Sequence, residues 1–446
     1  MKRLREIFRS SPVLRHILTL VSGTVVAQVF ALILQVPLMR LYTPQAFGVL
    51  AIYASITGII SAIAALRYDM TIMLPEDDLT ARVVRNLASR SIIVVAIATG
   101  IAGWIAGGWF ADYYDAPQLR WWLPIGGLTV FLAAETTTRQ YWLNRHQAYK
   151  PIAVNRALQT LAIGVFQLLL ILLLPTVMGW LRPANPVCAA GTAVPGYLGL
   201  IIGGVFGLGF AYGWIVRNTR DLHGPLAPEA PTMWQMANRY RKMPLINGPN
   251  TLVDAIRLNG IPLIIAVIAT VDSVGQYNRA FLIAHAPAML IQGAISQVFF
   301  QRLAVTKPGE MGPLVAKTLR GLALLSVPTF ALFAMVAPWL VPFIFGEAWV
   351  EAGWITAALT PWIAAGILAS PVSTVFVVTE TQQKMLAFGV VYCIVSLSVL
   401  FFSPFSFMTT VWLLSATNAL MLCIMLVIAW RVVRAYDRRA DAASSE

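Results

Sequence analysis

Apolar residues fall in long runs of about twenty, separated by short polar stretches. Along the chain these runs predict twelve spans, at 15–39, 46–68, 88–110, 121–143, 152–175, 196–216, 244–270, 276–301, 314–338, 350–378, 384–403 and 406–431. A helix needs about 20 mostly apolar residues to cross a bilayer. The pattern therefore predicts an all-α polytopic membrane protein with about 12 transmembrane helices. The basic segment Met1 to Arg15 resembles the start of a signal peptide. The apolar run behind it is too long for a leader, and it reads as a retained first span.

The two halves echo each other. Gly48 opens the second span after a short polar turn, and Gly275 does the same for the eighth, 227 residues later. Six spans per half is an even number, so both halves insert in the same sense. That is a parallel pseudo-repeat. It predicts an N-terminal six-helix lobe over 1–216, a cytoplasmic linker over 217–243 and a C-terminal six-helix lobe with a short cytoplasmic tail over 244–446. The linker begins with Gly224, Pro225, Pro228 and Pro231. It then turns amphipathic, with Met233, Trp234, Met236 and Tyr240 among Arg239, Arg241 and Lys242. This predicts an interfacial helix.

Composition agrees with a membrane protein. Apolar residues make up 58% of the chain, charged residues 11%, and the mean hydropathy is +0.73. Both a soluble globular domain and a disordered chain are excluded. The net charge of +13 changes the picture only through its placement. Alternate inter-span segments, counted with the adjoining span ends, hold 27 of the 32 Lys and Arg residues. That asymmetry predicts both termini in the cytoplasm. The basic excess thus reports topology, and no nucleic-acid partner is expected. Cys188, Cys393 and Cys423 imply no disulfide framework. The four His are scattered and no metal site is expected.

Ionisable groups inside spans are costly and mark function. Arg257 falls near the middle of the seventh span, with Asp254 three residues earlier on the same face. Asn247, Asn250 and Asn259 add polarity. Pro244, Gly248, Pro249, Gly260 and Pro262 predict an interrupted helix, the form a transporter cavity takes. The rival reading is a self-neutralising Arg257–Asp254 pair. Arg67 and Asp69 close the second span. Arg40 closes the first and Arg279 opens the eighth; each either contacts an anionic substrate or snorkels to head groups. Glu135 either carries a coupling proton or pairs with Arg139. Gln28, Gln35, Gln159, Gln167, Gln292, Gln297 and Gln301 suit a hydrated cavity or interhelical hydrogen bonds. Gly199, Gly203 and Gly207 are spaced for close helix packing. The candidate phosphate- and sugar-binding set is Arg257, Arg67, Arg40, Arg279, Asn250, Gln28, Gln35 and Gln297. Asp254 and Glu135 are the coupling candidates. No P-loop, nucleophile elbow or paired-carboxylate motif occurs. No cofactor is expected, and energy would come from H⁺, Na⁺ or the membrane potential.

Several stretches carry a family resemblance. They are 40–48 (Arg-Leu-Tyr-Thr-Pro-Gln-Ala-Phe-Gly), 66–78 (beginning Leu-Arg-Tyr-Asp and ending Pro-Glu-Asp-Asp), 141–145 (Tyr-Trp-Leu-Asn-Arg), 286–302, 345–353 and 370–376. In this order the chain resembles the polysaccharide (O-antigen type) flippases of the multidrug/oligosaccharidyl-lipid/polysaccharide (MOP) exporter superfamily. The resemblance implies two six-helix lobes flanking a central cavity. It implies transfer of an undecaprenyl-diphosphate-linked oligosaccharide from the cytoplasmic to the periplasmic leaflet of the bacterial inner membrane, by alternating access. The implied partners are the lipid-linked oligosaccharide, the lipid bilayer, and a polysaccharide polymerase and co-polymerase. Three rival functions stand beside it. A drug or cation exporter of the same superfamily should have an acidic cavity, whereas the candidates here lean basic. A lipid II flippase differs only in cargo. A membrane glycan polymerase should carry large periplasmic loops, and those predicted here are short. A non-transporting scaffold is a further alternative, against which the interrupted seventh span argues.

Overall fold

The computed structural model describes residues 28–181, 196–223, 229–306, 309–379 and 381–444. The basic N-terminus, the start of the first span, Cys188, and Gly224, Pro225 and Pro228 of the linker lie outside the described residues. Twelve long helices follow one another: α1 (Gln28–Leu41), α2 (Pro44–Ile63), α3 (Asp78–Tyr113), α4 (Gly126–Arg145), α5 (Tyr149–Leu181), α6 (Gly196–Arg217), α7 (Gly248–Ile268), α8 (Val271–Val305), α9 (Met311–Phe345), α10 (Val350–Val372), α11 (Gln382–Phe402) and α12 (Phe407–Ser444). Each predicted span coincides with one of them, and no strand occurs among the described residues. Nine are long and apolar enough to cross a membrane, counted over the described residues. Of the others, α1 enters the described chain part-way, and α4 and α8 are long but interrupted by polar groups. The protein is an all-α, multi-pass membrane protein.

The helix ends differ from the apolar runs for identifiable reasons. Helix α3 starts ten residues before the predicted edge because Asp77 caps it, its Oδ2 accepting the Thr80 N–H at 2.6 Å. Arg82 and Arg85 therefore lie on a helix, where a loop was expected. Helix α10 stops at Val372, and a turn at Ser373 and Thr374 precedes the short helix Val375–Val378. There both hydroxyls fold back onto main-chain carbonyls, Ser373 onto Ser370 and Thr374 onto Pro371. The seventh span is less broken than expected. The irregular part is a π-helical turn, Met243–Asn247, after which α7 runs on through Pro262. Proline removes one backbone donor but need not end a membrane helix.

The repeat is visible at the caps. Thr43 caps α2 by accepting the Ala46 N–H, and Thr270 caps α8 by accepting the Ser273 N–H. These two threonines are 227 residues apart, as are the last residues of α1 and α7.

The chain divides into two compact units, Met1–Asn259 and Gly260–Glu446, with α7 straddling the division. In the first unit α5 and α6 pack closely. A Cβ on Gly203 would lie 2.7 Å from the Gln167 backbone, and one on Gly207 would meet the Ile163 backbone. Small residues permit this approach, the usual driving contact where lipid removes the hydrophobic effect. Tyr42 Oη donates to the Gln167 carbonyl at 2.6 Å, and Gln167 Nε2 to that of Leu200 at 2.9 Å, tying in α1 and α6. The apolar face of α3 points outward, with Trp104 75% exposed, as lipid contact requires. At one end a core of Ile72, Val84, Trp142, Leu222 and Met236 seats the short helix Met233–Arg239 of the linker. Thr232 and Gln235 close that helix with a capping box. In the second unit α10 is the buried centre, packed by α8, α9 and α12.

Candidate functional site

Helix α7 carries the polar face expected of the seventh span. Arg257 Nη2 lies 3.6 Å from Asp254 Oδ1, and the Asp254 side chain is 68% exposed against 26% for Arg257. The carboxylate thus stands outward while the guanidinium is half withdrawn. Asn247 and Asn250 are half-buried one to two turns earlier. Asn259 donates to the Ala255 carbonyl, and its Oδ1 would lie 3.0 Å from a Cβ on Gly58. Gly58 thereby lets α7 approach α2. The π turn before α7 also meets the short helix Tyr68–Thr71 that follows α2.

That short helix begins in an unusual way. Leu66 (φ 49°) and Arg67 (φ 61°) are both left-handed without being glycine. Such backbone costs about 1–3 kcal/mol per residue and gathers at functional sites. Arg67 Nη2 donates to the Met70 thioether, while its Nε is buried with no hydrogen-bond partner. Asp69 is 7% exposed and its Oδ1 is also buried and unpartnered. Burial raises the Asp69 carboxyl above the usual carboxylate range, and the Arg67 charge opposes that shift. Tyr141 of α4 is half-buried within electrostatic reach of both.

Arg145 holds this region together. It donates to Asp78 Oδ1 at 2.8 Å and to the carbonyls of Ile72 (3.2 Å), Pro75 (2.6 Å) and Glu76 (3.0 Å). His146 Nε2 lies 3.2 Å from the other Asp78 oxygen. Trp142 Nε1 donates to Asp221 at 2.7 Å. The stretches 66–78 and 141–145, which carry the family resemblance in sequence, are thus one structural clasp.

Glu135 occupies the interior of the first unit. Its side chain is 3% exposed and lies between Arg85 Nη2 at 3.3 Å and Arg139 Nε at 3.5 Å. Arg139 also donates to Thr219 Oγ1 at 2.7 Å and lies over the Tyr212 ring. The Nε atoms of both arginines and Ser89 Oγ are buried without hydrogen-bond partners. Sequence reasoning counted Arg85 among loop charges. The Asp77–Thr80 cap is the signal that could have placed it on a helix.

The remaining candidates are spread out. Gln28 and Gln35 are half-buried on α1, and Arg40, one residue before its end, is exposed. Arg279 is two turns inside α8, deeper than its predicted place at the span's edge, because α8 begins at Val271. It belongs to the second unit and donates to Asn278 Oδ1 at 2.9 Å. The Gln297 side chain lies outside the described residues. The structure brings the short helix that carries Asp69, and that Arg67 precedes, to the π turn Met243–Asn247. It keeps Glu135 in a separate buried cluster. Among the described residues no group of three or more His, Cys, Asp or Glu could hold a metal.

Residues 38–180 and 226–353 match the family described as polysaccharide biosynthesis protein. The chain belongs to that family. The match takes in the Arg67 turn, the Arg145 clasp, Glu135 and all of α7. No curated protein matches this member of the polysaccharide biosynthesis family. Solved structures share its fold. An inward-facing multidrug resistance MATE transporter of the MOP superfamily has a TM-score of 0.66 at 11% identity, covering 92% of this chain and 96% of that one. The lipid II flippase MurJ, in an inward closed conformation, has 0.67 at 10%, covering 93% and 89%. A MOP superfamily transporter from Pyrococcus furiosus has 0.58 at 12%, covering 96% of each chain. This polysaccharide biosynthesis protein therefore has the MOP transporter fold.

Proposed function

We propose that the protein flips a polyprenyl-diphosphate-linked oligosaccharide from the cytoplasmic to the periplasmic leaflet of a bacterial inner membrane, by alternating access. The observation that carries this reading is the conjunction of family and fold. A polysaccharide biosynthesis family match lies on a chain built like a membrane transporter. The cargo would carry a diphosphate and a sugar chain through about 30 Å of hydrocarbon. Arg257 and Arg67 suit the diphosphate, because a guanidinium stays charged and can bind phosphate oxygens in a fork. Asn250, Gln28 and Gln35 suit sugar hydroxyls. The isoprenoid tail remains in lipid.

The potential can supply the work. A diphosphate carrying two negative charges moves outward down an inside-negative potential. Each charge gains about 2.3 kcal/mol per 100 mV, so about 5 kcal/mol in all. The sequence holds no nucleotide-binding motif that would be needed for ATP to do this.

Leaflet-resolved measurement of polyprenyl-diphosphate oligosaccharide tests the reading in cells carrying wild type, a deletion or Arg257→Ala. Precursor trapped on the cytoplasmic side in the deletion supports the flippase, and trapping in Arg257→Ala adds the arginine to the substrate path. Unpolymerised precursor on the periplasmic side of the deletion strain overturns it in favour of a polymerase.

A further inference from the structure

The turn after α2 holds a donor and an acceptor that the protein does not answer. Arg67 spends one nitrogen on the weak thioether acceptor of Met70 and leaves a buried Nε without a partner. Two residues on, Asp69 Oδ1 is buried and unpartnered. Buried polar groups in native proteins are normally satisfied, and an orphan points to a missing ligand or water. These two are held by left-handed backbone at Leu66 and Arg67. The Arg145 clasp fixes the chain just beyond them to α4, the helix that carries Tyr141.

The two orphans make different demands. A free phosphate would satisfy Arg67 but set its charge against the Asp69 carboxylate. A neutral sugar would satisfy Asp69 and leave the guanidinium unanswered. A glycosyl phosphate meets both, because an anionic oxygen and a ring hydroxyl lie side by side at the sugar–phosphate junction. Leu66, Met70 and Met73 are exposed around the turn, and such apolar surface matches a ligand with an isoprenoid chain next to its phosphates.

We infer that the Arg67–Asp69 turn is a subsite for the sugar–phosphate junction, in which Arg67 binds a diphosphate oxygen and Asp69 accepts a hydroxyl of the first sugar. This rests on the flippase reading and adds to it a selection for loaded over unloaded carrier lipid.

Binding to the full-length protein in nanodiscs tests it. The probes are polyprenyl-diphosphate glucose, bare polyprenyl diphosphate and UDP-glucose. Arg67→Gln is expected to weaken both lipids about tenfold or more, and Arg67→Lys to keep part of that binding. Asp69→Asn is expected to weaken the sugar-linked lipid about tenfold and to leave the bare diphosphate within about twofold. Unchanged melting temperatures separate these effects from misfolding. The subsite is overturned if the variants bind the sugar-linked lipid like wild type, or if Asp69→Asn affects both lipids equally. In either case wild-type lipid binding leaves the flippase reading standing. If the protein binds UDP-glucose with the same Asp69 dependence but neither lipid, the junction chemistry is supported and the lipid-linked cargo is overturned.

Discussion

Arg145, the last residue of α4, reaches Asp78, the first residue of α3, across 67 positions of sequence and donates to its carboxylate at 2.8 Å. The ion pair alone adds little, because the Asp78 side chain is 60% exposed and water screens it. The larger contribution comes from the other nitrogens. They satisfy three main-chain carbonyls in a loop that has no helix to satisfy them.

Arg145→Lys should therefore behave as a loss of geometry rather than of charge. An ammonium cannot span the carboxylate and three carbonyls at once. At about 1 kcal/mol per bond lost, the expected destabilisation is about 2 kcal/mol. Asp78→Asn should cost less than half of that. Thermal melting of the detergent-solubilised protein reads both. Equal losses would show that the ion pair, not the carbonyl fork, holds the loop.

The Arg85–Glu135–Arg139 cluster has two positive charges for one negative. Removing the acid leaves two cations buried and unpaired, which costs about 3–5 kcal/mol. Removing one base leaves a matched pair and takes away an excess charge. Glu135→Gln is thus expected to lower expression and melting temperature strongly, and Arg85→Met weakly or not at all. Size-exclusion and melting profiles of the two variants check the order. If Arg85→Met were the worse of the two, the excess charge would have to be satisfied by something other than Glu135.

The contrast between these clusters explains what was legible in the sequence. Span positions were readable because a bilayer demands a run of apolar residues of set length, and among the described residues each of the twelve runs coincides with a helix. Helix ends were not, because side chains set them. Asp77 draws α3 back to Asp78, and α12 continues past residue 431 on charged residues. Arg67 and Asp69 stood out as charges at a span edge. Their unanswered atoms depend on left-handed backbone at positions 66 and 67, which no residue there announces. Arg85 looked like a loop charge, because its partner is 50 residues away and only tertiary packing makes the pair.

The glycine seam between α5 and α6 predicts a graded response. Gly203→Ala puts a methyl 2.7 Å from the Gln167 backbone, and Gly207→Ala meets the Ile163 backbone. Backbone cannot swing aside, so the helices must part and lose packing along the seam. A cost of about 1–3 kcal/mol is expected for each. On the same helix, a methyl added at Gly213 would have nothing within 4 Å. Gly213→Ala should be neutral or gain up to about 1 kcal/mol in helix propensity. A melting series that ranked Gly213→Ala with the other two would remove close approach as the reason for these glycines.

Asp437 makes the last prediction. It lies beyond the apolar part of α12, in a tail that sequence patterning reads as a short cytoplasmic end. Its Oδ1 accepts the Gly309 N–H and its Oδ2 the Gly312 N–H, both at 2.9 Å. These donors flank the start of α9, and Gly312 is the second residue of that helix. Helix starts leave N–H groups unsatisfied, and a carboxylate there also meets the positive end of the helix dipole. Glu310, which stands at the cap position, makes no side-chain cap bond of its own. Asp437 thus supplies from the other end of the second unit what the local sequence lacks. Asp437→Ala is expected to cost about 1–2 kcal/mol, the range of a lost N-cap. Asp437→Asn retains one acceptor and should cost about half as much. The sharper readout is hydrogen exchange. Amides at 309–312 should exchange faster in Asp437→Ala, and so should the tail from Arg434 onward, while amides of α10 stay protected. Faster exchange in the tail alone would mean that α9 is capped without help from α12.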